Sequence, residues 1–152
     1  MAHTITVGNA KPYFSKEDGH LDAGWAVEDA KRNDAPTFPH DEMIGNSNSR
    51  SPSYSSWNDF CEDAGIHDLF YDEDAGLIAP HPGCNLLHRE HLLIVQAALE
   101  KRRRVTDKPP GFEGPNGEDK GKYDATLARL IWLEFWMRWA LENCETPALQ
   151  NT

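Results

Sequence analysis

One arginine among short polar residues and two aromatic residues gives segment 46–57 the residue types that bind phosphate. A guanidinium can hold two phosphate oxygens at once, and the free N–H groups at the start of a helix attract an anion. Aromatic rings could stack on a base or a sugar. We therefore predict a site for a small phosphorylated or nucleotide ligand, formed by Asn46, Asn48, Arg50, Ser51, Tyr54 and Trp57. The alternative is an Asn/Ser turn before an ordinary serine cap, with both aromatic residues in the core.

A second cluster, of histidine and cysteine, has the residue types of a zinc site. Its possible ligands are His81, Cys84, His88 and His91. His88 and His91 would share one face of a helix, with the other two ligands on the preceding turn. Only two residues separate these histidines, so the spacing misses the HExxH pattern of metalloproteases. A zinc-dependent enzyme is one interpretation, and a turn in which Cys84 packs as a small apolar residue is the other. No other cofactor and no catalytic residue are predicted, so we expect a non-catalytic protein.

The third feature is a run of acidic residues. Segment 51–80 contains no lysine or arginine, and its acidic residues include Asp59, Glu62, Asp63, Asp68, Asp72, Glu73 and Asp74. Such a surface could imitate DNA phosphates and block a basic host protein that binds nucleic acid. The residues predicted to contact that partner are Asp59, Glu62, Asp63, Asp72, Glu73 and Asp74. The alternative is a solvated face that keeps the protein soluble.

Composition limits the classes of partner. The chain has 152 residues and a net charge of −10, which disfavours direct binding to nucleic acid or to a membrane surface. No apolar run reaches the roughly 18 residues of a membrane span, and the first residues lack the pattern of a secretion signal. Three widely spaced cysteines do not form a disulfide framework, so we expect a cytoplasmic protein.

Apolar spacing, caps and turn residues predict the elements that must position these groups. In order, the sequence predicts a strand at 4–7, a short helix at 25–31, a helix at 53–65, a hairpin at 69–79, a helix at 87–104, a loop at 106–122, a helix at 123–143 and a frayed polar tail at 147–152. The last helix is apolar around most of its circumference, which is typical of a central helix or of one at a subunit interface.

These elements predict one α+β domain that is mainly helical, in which a long apolar C-terminal helix packs with two shorter helices and a small β element. Its parts are a loop-rich N-terminal part at 1–52, a helix–hairpin–helix unit at 53–104, a loop at 105–122 and a core helix at 123–144. Five tryptophans exceed what a small monomer covers easily, so we expect a homo-oligomer, most simply a homodimer.

Four stretches of the chain together resemble a known class of protein: the segment 46–57, the sequence Asp68-Leu69-Phe70-Tyr71, the turn at 81–84 and the tryptophan-rich helix at 130–139. The class is that of small uncharacterised proteins of tailed bacteriophages and prophages. The resemblance implies an accessory role in the cytoplasm of an infected bacterial host. Countering host defences is one such role. It implies no activity. Three functions stay open: a phosphate-ligand binder, an acidic inhibitor of a basic host protein, and a zinc enzyme.

Overall fold

The computed structural model describes residues 2–17, 20–43, 45–78 and 82–152. Within these ranges the chain forms five strands and four helices. In chain order they are β1 (Ile5–Glu17), β2 (His20–Val27), β3 (Ser49–Arg50), α1 (Tyr54–Asp63), α2 (His67–Tyr71), β4 (Gly83–Leu86), α3 (Arg89–Val105), α4 (Ala125–Asn143) and β5 (Pro147–Asn151). No helix in these ranges combines the length and apolar character that a membrane crossing requires.

The strands form one antiparallel sheet in the order β2-β1-β5-β4, and β3 also pairs with β1. The first half of β1 pairs with β5 and β3, and from Ala10 onward β1 pairs with β2. The sheet is curled. As a result the end of β2 reaches β5, and the Val27 N–H donates to Gln150 Oε1 at 2.8 Å although β1 separates the two strands in the sheet. We call the side of the sheet on which this bond lies the outer face.

The helices cover the other side, the inner face. Alternation along the strands places Ile5, Val7 and Leu149 there, in one core with α4. Three tryptophans of that core, Trp57, Trp132 and Trp136, are fully buried within the single chain. Because the monomer already covers these side chains, the tryptophan count no longer supports the predicted homodimer, which stays a prediction without that argument.

The prediction of a mainly helical fold with a small β element is wrong. The part predicted as loop-rich contains the long paired strands β1 and β2, and the tail predicted to fray is β5, which pairs with both β1 and β4. These strands carry small and polar residues on the outer face, so they lack the long apolar alternation on which the strand prediction relied. Pro12 fits in β1 because its partner, Trp25, lies at a position where the two strands do not exchange hydrogen bonds.

Two local predictions are also wrong. The helix expected at 25–31 is absent because Trp25 and its neighbours up to Val27 belong to β2. In place of the hairpin expected at 69–79, the chain forms α2 followed by a turn up to Ile78, and Ala79 lies outside the described residues. Gly76 is not required there for a positive φ. It is required because a Cβ at that position would lie 2.5 Å from the Phe70 carbonyl oxygen.

The predictions for the three longer helices are confirmed within a few residues. Ser53 caps α1 by accepting from the Ser56 N–H, and Gly65 follows the helix with a φ of +72°. Asp124 caps α4 by accepting from the Leu127 N–H at 3.0 Å. The loop before α4 is confirmed too, apart from one 3-10 turn at Pro115–Gly117. Caps and turn residues are local signals, which explains why these boundaries could be predicted.

Candidate functional site

The structure buries Arg50, the centre of the predicted phosphate site. Arg50 is 1% exposed and lies on the inner face of the sheet, beside α4. Its Nη1 donates to Glu42 Oε1 at 2.6 Å, and its Nη2 lies 3.5 Å from Asp41 Oδ1. The guanidinium also stacks on Trp132, 4.5 Å from the ring centroid, and lies 5.6 Å from the centroid of Phe112. Protein groups therefore occupy the surroundings that a phosphate would need.

A second arginine completes this cluster. Arg129 on α4 donates two hydrogen bonds to Glu42, from Nε to Oε1 at 3.0 Å and from Nη2 to Oε2 at 2.8 Å. Burial alone raises the pKa of Glu42, but the hydrogen bonds and charges of Arg129 and Arg50 hold that pKa below its ordinary value. Burial raises the pKa of Asp41 against the charge of Arg50. Two cations and two carboxylates thus share one site, which we call the arginine cluster (Arg50, Arg129, Asp41 and Glu42).

The other residues of the predicted phosphate site do not converge on a pocket. Asn48 is fully buried, donates to the Val7 and Glu28 carbonyl oxygens, and accepts from the Ala30 N–H. Trp57 lies in the core, where it packs on Phe60 and Phe70. Asn46 and Tyr54 are half-buried, and Ser51 is exposed. Asn48, Arg50 and Trp57 are therefore buried in the interior of this fold.

The histidine and cysteine cluster has one member, His81, outside the described residues. Cys84 lies on β4, and His88 and His91 lie at the start of α3. The His88 backbone N–H donates to His91 Nδ1 at 2.9 Å, which engages one ring nitrogen in a helix cap. Within the ranges that the structure describes, no three His, Cys, Asp or Glu side chains gather into a metal-binding group. The zinc site stays a prediction from the sequence.

The acidic residues of α1, α2 and the following turn divide into two groups. Asp63 accepts from the Thr126 hydroxyl and pairs with Arg102 at 3.2 Å, while Asp72 accepts from backbone N–H groups of its own turn. The other group is exposed and forms no ion pair with any described residue; its members are Asp59, Glu62, Asp68, Glu73 and Asp74. We call these five residues the acidic surface.

An apolar groove on the outer face is the feature that the sequence analysis missed. Trp25, Leu86 and Tyr13 are 54%, 55% and 52% exposed, and all three line it. The groove consists of two adjoining cavities of about 340 and 530 Å³, which share Trp25 and Cys84 in their walls. It lies between the curled end of the hairpin and β4. Burial raises the pKa of the Cys84 thiol, which disfavours its thiolate form.

The sequence contains only a weak signal for this groove. Trp25 and Val27 alternate with small residues in β2, and Leu86 precedes a second leucine whose side chain is buried. Such short patterns become informative only when the pairing of the strands is known. Comparison of the chain with protein-family models, with curated proteins and with solved structures finds no match. The resemblance to phage accessory proteins therefore stays a prediction.

Proposed function

We propose that this chain is a non-catalytic protein that binds a basic partner protein through the acidic surface. The observation that carries the proposal is the absence of any ion pair at these five exposed carboxylates within the described residues. Some exposed acidic residues elsewhere, such as Glu28 and Asp34, pair with a neighbouring cation, whereas segment 51–80 has no lysine or arginine to pair with. A carboxylate without an internal partner can pair with a cation on another molecule.

Two further features support this function over binding of a phosphorylated ligand. The net charge of −10 repels a phosphorylated molecule and attracts a basic protein. Arg50, the residue on which phosphate binding depends, is already paired with carboxylates of its own chain. A basic protein that binds nucleic acid in an infected bacterium would be a partner of the right charge, and an inhibitor of it would occupy its nucleic-acid surface.

The proposal is tested with a quadruple charge reversal, in which Asp59, Glu62, Glu73 and Asp74 are replaced by Lys. The wild-type chain is first used to isolate and identify a bacterial partner, and the association rate is then measured at about 50 and 500 mM NaCl. We expect the reversal to slow association by about tenfold or more at low salt, and the wild-type rate to fall as salt rises.

The matched control reverses four exposed acidic residues elsewhere, namely Asp29, Asp107, Glu113 and Glu118. This variant has the same net charge, so it separates a local surface from the overall field of the protein. Equal association rates for the two variants would overturn the proposal. So would a partner that is itself acidic, or a rate that does not change with salt.

A further inference from the structure

We propose that the open edge of β4 and the adjoining groove bind an extended segment of a partner protein, which adds to the sheet as one more strand. This proposal does not depend on the acidic surface, which lies on other elements. The occupant follows from three properties of the described residues at the groove: backbone groups that are open for pairing, large apolar side chains and the absence of charged side chains in its lining.

The hydrogen-bond register fixes which backbone groups of β4 are open. The Leu87 N–H donates to the Pro147 carbonyl oxygen at 2.9 Å, so residue 87 lies at a bonded position of the ladder with β5. In an antiparallel ladder bonded and non-bonded positions alternate. The N–H and C=O groups of Leu86 and Cys84 therefore point away from β5. Within the described residues they bond to no other group.

The same alternation applies to β2, on the opposite side of the groove. The Glu28 N–H donates to the Asn9 carbonyl oxygen at 2.9 Å, which places Trp25 at a non-bonded position relative to β1. The backbone groups of Trp25 also point out of the sheet edge. Val27, two residues on, has the same orientation, and its N–H is the one that reaches Gln150. The groove thus has open backbone groups on β2 as well as on β4.

Exposed strand edges normally carry charge, proline or a covering segment that prevents pairing with another chain. At β4 the exposed residue is Leu86, and the side chains that line both cavities are uncharged. One charged pair on the hairpin, Lys11 and Glu28, is mutually neutralised at 2.7 Å. Uncharged apolar side chains in the lining favour an occupant that is itself neutral and apolar where it enters the groove.

An extended peptide satisfies all of these groups together. Its backbone would bond to Cys84 and Leu86, and alternate apolar side chains would lie on Trp25 and Leu86. A small apolar molecule could fill a cavity but would leave the row of backbone groups unpaired. A second copy of the chain that met this edge through its own β4 would contribute only four residues, whereas a free extended segment has no such limit. Sequences with apolar residues at every second position are the expected partners.

The experiment uses a peptide selected against the full chain from a random library of about twelve residues, labelled with fluorescein. We expect alternating apolar residues in the selected sequence, and about tenfold weaker binding to Leu86→Glu and to Trp25→Ala. Leu93→Glu is the matched control, because Leu93 is equally exposed but lies on α3 outside the lining of the groove. It should bind like the wild type.

Amide hydrogen exchange distinguishes strand addition from contact by side chains alone. On peptide binding, the amides of Cys84 and Leu86 should exchange at least tenfold more slowly, and a peptide N-methylated at alternate residues should lose binding. The proposal is overturned if no peptide is selected, if these amides are not protected, or if Leu86→Glu binds as well as Leu93→Glu. Concentration-dependent dimerisation that Leu86→Glu abolishes would assign the edge to a second copy and would also overturn it.

Discussion

Arg50 and Trp25 both lie on strands of the same sheet, yet they face opposite environments. The sequence suggested that the arginine was open to a ligand and that the tryptophan was part of a helix. In the structure the arginine is 1% exposed and the tryptophan is 54% exposed. The difference teaches that the face of the sheet, rather than the polarity of the residue, decides which side chain is available to a partner.

The inner face can accept a charged residue because the chain supplies its compensation. Arg50 is desolvated there, but two carboxylates and the ring of Trp132 surround its guanidinium. Removing one member of such a cluster leaves another charge buried without a partner. Among the residues that the structure describes, no buried ion-pair network surrounds Trp25 on the outer face. The two regions should therefore respond very differently to mutation.

The largest difference is expected between Arg50→Ala and Trp25→Ala. Loss of the guanidinium leaves Asp41 and part of Glu42 uncompensated, so we expect the free energy of unfolding to fall by about 3–5 kcal/mol. Trp25→Ala should change it by less than about 1 kcal/mol, since half of this side chain is already in solvent. Urea denaturation of both variants measures these values, and similar losses would contradict the comparison.

A smaller effect is expected from acid. The pKa of Glu42 is lower in the folded chain than its ordinary value of 4.5, so the unfolded chain binds more protons near and below that pH. Its contribution to stability is present above about pH 4.5 and is lost as the pH falls through the folded-state pKa. The stability difference between wild type and Glu42→Gln should therefore shrink between pH 7 and pH 3.

Asp41 provides a control, because its pKa is shifted in the direction opposite to that of Glu42. Its pKa is raised by burial, so the folded chain retains this proton above the ordinary value of 3.8. Asp41→Asn should consequently gain stability relative to the wild type as the pH rises. Urea denaturation at several pH values tests both variants. A difference between wild type and Glu42→Gln that stays constant with pH would show that this carboxylate is not held ionised by the two arginines.

The smallest expected effect is on ligand binding at segment 46–57. Because Arg50 is buried and paired, inorganic phosphate and a panel of nucleotides should leave the melting temperature unchanged when NaCl of equal ionic strength is the reference. A rise in melting temperature that is lost in Ser51→Ala would instead support the predicted phosphate site, since Ser51 is the exposed residue among its six predicted members.

The local sequence predicted the elements whose signals lie within a few residues. Ser53, Gly65 and Asp124 fix helix ends through their own backbone conformation and hydrogen bonds, and these predictions are confirmed. The strands were largely missed, because pairing joins residues that are far apart in the chain. Asn9 contacts Pro147, for example, across most of the sequence. The surroundings of Arg50 could not be predicted for the same reason, since Glu42 and Arg129, which share its cluster, are 87 positions apart.

The amino-acid sequence by itself determined the net charge, the positions of the three longer helices and the acidic character of α1 and the turn after α2. These properties depend on residue type and on spacing within one or two helical turns. Only the tertiary structure decided that Arg50 is enclosed by carboxylates while Trp25 and Leu86 line an open groove. Exposure is a property of the packed sheet and helices, because it depends on which distant segments cover each face.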